Sequence, residues 1–192
     1  MTMTEVLKPC ADPAAADEVL IATERWLERA VIGLNLCPFA KSVFVKKQVR
    51  YALTAAGDAD ELLAELEHEL NLLAATDPAE LDTTLLIHPQ AMTDFLDYHF
   101  FLAEADALLK NLGYEGVFQI SSLHPQYEFA GSSPDDIANF TNRSPYPTLH
   151  LLRESSIDRA VAAFPDAADI FERNIETMEK LGHDGWRKLW LA

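Results

Sequence analysis

The chain has 192 residues, 49% hydrophobic and 24% charged, with a formal net charge of −16; this length fits one domain whose core needs no crosslinks. So acidic a chain lacks the phosphate-neutralising cations of a general nucleic-acid binder and is repelled by anionic membrane surfaces. No run approaches the ~18 consecutive apolar residues of a membrane span, and the N-terminus MTMTEVLKPCADPAAADE has no basic region ahead of an apolar one, so it does not read as a secretory signal.

Residues 1–16 read as a flexible leader and 17–192 as a single globular domain. The first helix is expected over 17–34, where Leu20, Thr23, Trp26, Leu27, Ala30, Val31 and Leu34 recur at three-to-four spacing until Pro38. VFVKKQVRY at 43–51 predicts a strand with Phe44, Lys46, Gln48 and Arg50 on a polar face. Asp58 or Asp60 opens a helix with the stripe Leu62, Leu63, Leu66, Leu70 and Leu73. TTLLIH at 83–88 is a short strand ended by Pro89. Thr93 or Asp94 opens a helix along Phe95, Tyr98, Leu102, Ala105, Leu109 and Leu112, with Gly113 as its stop. Val117–Leu123 is the next strand.

Residues 124–147 then hold four prolines and no long apolar run. So long an ordered connection points to a site. Ser133-Pro134-Asp135-Asp136 looks like a helix start inside it. Thr148–Arg153 is the fourth strand, Ser155–Asp158 another helix start, 166–182 a helix, and GWRKLWLA a short terminal one. The order α-β-α-β-α-β-loop-β-α predicts an α/β fold, with α+β as the alternative: a mixed four-stranded sheet covered by helices, its last strand antiparallel.

Two cysteines, Cys10 and Cys37, are too few for a disulfide framework, so a reducing cytoplasm is the simplest home. No acid occurs between Glu28 and Asp58, whereas Lys41, Lys46, Lys47 and Arg50 cluster there. Such a basic island can focus a small anion on an acidic protein.

Three segments, GLNLCPFAK at 33–41, the HPQ-MTDFLDYHFFL region at 88–102, and QISSLHPQYEFAG with DDIANFTNRSPYPTLHLLRE at 119–154, resemble an uncharacterised bacterial family catalogued as domain of unknown function 1415. The resemblance implies a stand-alone bacterial cytosolic protein. It carries no activity, cofactor or catalytic residue.

The candidate chemistry rests on the residues. Arg143, Arg153, Arg50 and Lys41 could hold a carboxylate or phosphate, since arginine grips both bidentately. Tyr127, Asn139, Asn142 and Ser144 could orient the substrate. His124 or His88, each ending a strand in His-Pro-Gln, could move a proton at the carboxyl edge of the sheet. Cys37 is a candidate nucleophile, although its place after a helix end disfavours a thiolate. His88, His124 and His150 could bind a divalent metal, in a spacing that matches no metal motif. Glycine-rich nucleotide-cofactor signatures are absent. The expectation is an enzyme acting on a small anionic metabolite by hydrolysis or group transfer. A histidine-ligated metalloprotein and a non-catalytic binding or regulatory module with a protein partner are the alternatives.

Overall fold

A computed structural model describes residues 4–6, 13–163 and 169–189; Cys10 and Trp190 lie outside them. In chain order the elements are β1 (Thr4–Val6), α1 (Pro13–Trp26), α2 (Ala40–Val45), β2 (Val49–Leu53), α3 (Ala59–Ala75), β3 (Thr83–Ile87), α4 (Phe95–Asn111), β4 (Phe118–Leu123), β5 (Thr148–Arg153), α5 (Glu154–Ala163) and α6 (Ile170–Lys188). The strands form one sheet in the order β1-β2-β3-β5-β4. β1, β2 and β3 are parallel, and β5 runs antiparallel between β3 and β4. This is the expected mixed, helix-covered α/β sheet. It gains a strand, β1, from the stretch read as a leader.

The sequence and the fold differ most at 43–51. The expected strand is split: Ala40–Val45 is helical, and Lys47 takes a left-handed turn at φ 60° before β2 begins at Val49. Tertiary contacts override local β-propensity here. Val43 and Phe44 pack on the core, and the Gln48 amide donates to the Pro78 and Ala79 carbonyls, which fixes where the strand starts. Every residue of β2 and β3 is buried, so β2 lacks the solvent-facing polar side expected for 43–51.

Each face of the sheet has its own core. On the first, Ala52, Leu86, Phe118, Leu149 and Leu151 pack against the stripes of α3 and α4. Asp58 and Asp94 cap these helices: Asp58 accepts from the Glu61 N–H, and Glu61 returns a bond to the Gly57 N–H. On the second face, Val49, Tyr51, Leu53, Leu85, Ile87 and Leu123 pack against α1, Trp26, Leu27 and Ala30, with Met178 and Trp186 of α6. The helix expected over 17–34 changes pitch. Residues Leu27–Ile32 form a π-helical turn, and Gly33 closes it by donating to the Glu28 carbonyl. The helix expected at 166–182 and the terminal helix merge into α6, which kinks at Gly182, where φ is 63°.

Candidate functional site

The loop 124–147 is ordered by its own side chains. Asp136, rather than Ser133, caps a 3-10 turn at Ile137–Asn142. Asn139 is fully buried: its Oδ1 accepts from the Phe129 N–H and the Ser132 hydroxyl, and its Nδ2 donates to the Ser133 carbonyl. Arg143 donates from Nε to the Tyr127 carbonyl at 3.1 Å and from Nη2 to the Pro134 carbonyl at 2.7 Å, with its guanidinium 4.2 Å from the Phe140 ring centre. Ser144 donates to the Tyr146 carbonyl. Arg143 and Asn139 thus organise the loop, each bonded to the loop's own backbone. Arg143→Ala is expected to cost ~1–2 kcal/mol and to speed amide hydrogen exchange across 124–147; unchanged exchange there would contradict the staple.

The histidine pair at the strand ends is brought together as the sheet rule suggested. His88 and His124 flank Tyr98, with ring centres 5.8 and 5.1 Å from its ring, and Phe95 packs at a tilt against His124. The Tyr98 hydroxyl donates to the Thr148 carbonyl and accepts from the Leu123 N–H. His88 donates from Nδ1 to the Ala91 carbonyl, and its buried Nε2 has no partner among the described residues. His124 donates from Nε2 to the Met92 carbonyl and accepts at Nδ1 from the Gln126 N–H. Both side chains are fully buried against α4. Both rings are packed into the core on this face of the sheet.

The proposed metal set is also dissolved. His150 pairs across the sheet with Leu85 and Ser121, on the second face, whereas His88 and His124 meet Tyr98 on the first. Side chains alternate faces along a strand, so a sheet lies between them. Among the described residues no group of three or more His, Cys, Asp or Glu side chains is placed to hold a metal.

Two of the expected anion-binding arginines are structural. Arg50 is buried on the first face and grips Glu69 of α3 through Nε at 2.8 Å and Nη2 at 3.0 Å. Arg153 donates to the carbonyls of Leu73, Thr76 and Leu81, which ties the end of α3 to β5. Lys41 is exposed and Tyr127 packs on Phe95 and Phe129.

What the structure does create is a cavity of about 700 Å³ on the second face, over β3, β5 and β4. Its floor is Thr83, Leu85, Gln119, Ser121, Leu123, His150 and Leu152. Its wall is Trp26, Leu27, Val31 and the turn from Leu36 to Val43, with Lys46 and α5 at the rim. Asn174 of α6 pins that turn by donating to the Leu36 carbonyl. Of the expected site residues, Cys37, Asn142, Arg153 and His150 line this cavity.

The cavity's charged residues are Lys46, Arg153, Arg159 and Asp82, so its lining is net positive in a chain of net charge −16. Asp82 accepts from the Ser156 hydroxyl at 2.6 Å, and Arg159 donates to the Ser156 oxygen. Cys37 is half-buried. Burial pushes its thiol up, and the Phe39 and Ala40 N–H groups only partly offset this, so it is a neutral S–H at physiological pH. Thr83, Gln119 and Ser121 were not singled out from the sequence. The signal was there as strand alternation: Gln119 and Ser121 stand on one face of β4, opposite Leu152 and His150.

No curated protein and no solved structure matches the chain. The family described as "Protein of unknown function (DUF1415)" matches residues 18–188, a span that contains every residue lining the cavity, and the chain belongs to that family.

Proposed function

We propose that the protein binds a small anionic molecule in this cavity and acts on it by hydrolysis or group transfer. The observation that carries the reading is the cavity itself: about 700 Å³, with a largely apolar wall, a floor that mixes leucines with Thr83, Gln119, Ser121 and His150, and a net positive lining. Its volume lies in the range of small-molecule sites, roughly 300–1,000 Å³. The apolar wall would take the body of the ligand, and Lys46 and Arg159 at the rim would draw in its charge against the acidic surface. No helix among the described residues is long and apolar enough to cross a membrane, and the sparse cysteines support the proposal of a reducing, cytoplasmic setting. Binding without turnover is the second reading, favoured by the neutral thiol of Cys37.

The test is calorimetric titration with inorganic phosphate, octanoate and phenyl phosphate. At least one is expected to bind. Lys46→Glu and Arg159→Glu should each weaken it about five-fold, the loss of roughly 1 kcal/mol at an exposed rim. Lys110→Glu makes the same charge change on α4, across the sheet from the cavity, and should have little effect. Equal weakening by Lys110→Glu would reduce the effect to net charge and remove the cavity from the reading.

A further inference from the structure

One group on the cavity floor is prepared for proton transfer by its hydrogen bonds. The Thr83 hydroxyl donates its single proton to the Leu151 carbonyl at 2.6 Å. Its oxygen also lies 2.8 Å from His150 Nε2. The Thr83 hydrogen is already committed, so the oxygen can only accept, and Nε2 must carry the ring hydrogen. A neutral imidazole has one N–H. The other nitrogen, Nδ1, is therefore a bare lone pair.

No described residue hydrogen-bonds to Nδ1, and His150 lines the cavity. Its cross-strand neighbours on the floor, Leu85 and Ser121, are uncharged. The contrast with His124 is sharp, because both nitrogens of that ring are engaged by backbone. A tautomer fixed by a third group, with the free nitrogen directed to where a reacting molecule sits, is the arrangement that base catalysis requires.

We propose that His150 is the proton acceptor of the cavity, acting through Nδ1, with Thr83 as its positioning residue. This rests on the reading of the cavity as the site of a hydrolytic reaction. The substrate class is a small anionic ester, of a carboxylic or a phosphoric acid. A water molecule attacks its acyl carbon or phosphorus. As the new O–C or O–P bond forms, the water proton passes to Nδ1. The bond to the leaving oxygen breaks, and Nδ1–H returns that proton to the leaving oxygen, so the ring ends neutral. Nε2–H stays on Thr83 throughout. An anionic substrate beside the ring favours its charged form, so the base strengthens as the substrate enters.

The experiment uses the full chain and two probes, 4-nitrophenyl phosphate and the anionic ester 4-nitrophenyl hemisuccinate. Side-chain nitrogen NMR of the wild type should show His150 protonated on Nε2 and bare on Nδ1. Thr83→Ser should keep this tautomer, and Thr83→Val should mix it. His150→Gln, whose amide can still donate to Thr83, should lower kcat about 100-fold or more with little change in KM. It should also remove the acid limb of the pH–rate profile. Thr83→Val should lower kcat about 10-fold, with recovery in Thr83→Ser.

Nδ1 protonated in the wild type, or an unchanged kcat and acid limb in His150→Gln, overturns the inference and leaves anion binding standing. A wild type that binds phosphate but turns over neither ester overturns the catalytic role alone. A wild type that binds no anion overturns the proposed function, and the NMR result separates that failure from this one. Should His150→Gln not fold by circular dichroism, the Thr83 pair carries the same comparison.

Discussion

Arg50→Ala is expected to destabilise the protein by about 3–5 kcal/mol, because it leaves a buried carboxylate without its partner. Arg50 and Glu69 are both essentially without solvent exposure, at 2% and 0%, and their contact is two-pronged. Neither charge has water to fall back on once the other is gone. A domain of this kind has a total stability of roughly 5–15 kcal/mol, so the loss is a large share of it. Removing both charges should behave differently. In Arg50→Met with Glu69→Leu, apolar groups of similar volume meet between β2 and α3, and stability should return to within about 1–2 kcal/mol of wild type or exceed it. Urea unfolding measures all three. If the double variant is as unstable as Arg50→Ala, the pair is doing something other than balancing its own desolvation. The cavity lies on the opposite face of the sheet, so any anion binding should survive in the double variant.

Stability should also fall steeply between pH 6.5 and 4, through two histidines. Burial lowers His88 and His150 from 6.5 to about 4, and it lowers His124 as well. Above pH 6.5 these rings are neutral both folded and unfolded, and they cost nothing. As pH drops below 6.5 the unfolded chain takes up protons that the folded chain refuses. Stability therefore declines with falling pH until the folded values are reached. A shift of this size is about 3 kcal/mol for His88 and for His150 by pH 4. For His88 the cost is enforced by geometry, since Nδ1 is tied to the Ala91 carbonyl and the buried Nε2 has no partner among the described residues. His88→Asn and His150→Gln keep a donor at the bonded position and cannot titrate. Each should flatten the acid limb of urea stability plotted against pH, and the double variant more so. Acid limbs that superimpose on the wild type would place the acid sensitivity in the carboxylates instead.

The cluster around Tyr98 shows how a legible sequence feature can point to the wrong role. His88 and His124 do end two strands that run the same way, as the repeated His-Pro-Gln suggested. That placement follows from strand periodicity. Whether the rings face solvent or a helix is decided by α4, and α4 covers them. The loop 124–147 repeats the lesson. Its composition marked it as ordered, and it is ordered, but Asn139 and Arg143 supply that order by bonding to the loop's own backbone.

The sequence by itself determined the elements whose information is local. α3 and α4 appear where their caps and apolar stripes place them, and β3, β4 and β5 within one residue of the short runs that predict them. The mixed sheet with an antiparallel last strand also follows, because element order limits how strands can connect. Tertiary structure alone decided the split of 43–51 into helix and strand, the pairing of β1 with β2, and the partners of Arg50 and Arg153. It also decided the cavity. Trp26, Cys37, Thr83, Ser121 and His150 are far apart along the chain, and they share a cavity only because one face of one sheet gathers them. Local patterns specify which residues lie on a face; which faces are covered, and by what, is settled by packing between elements remote in sequence.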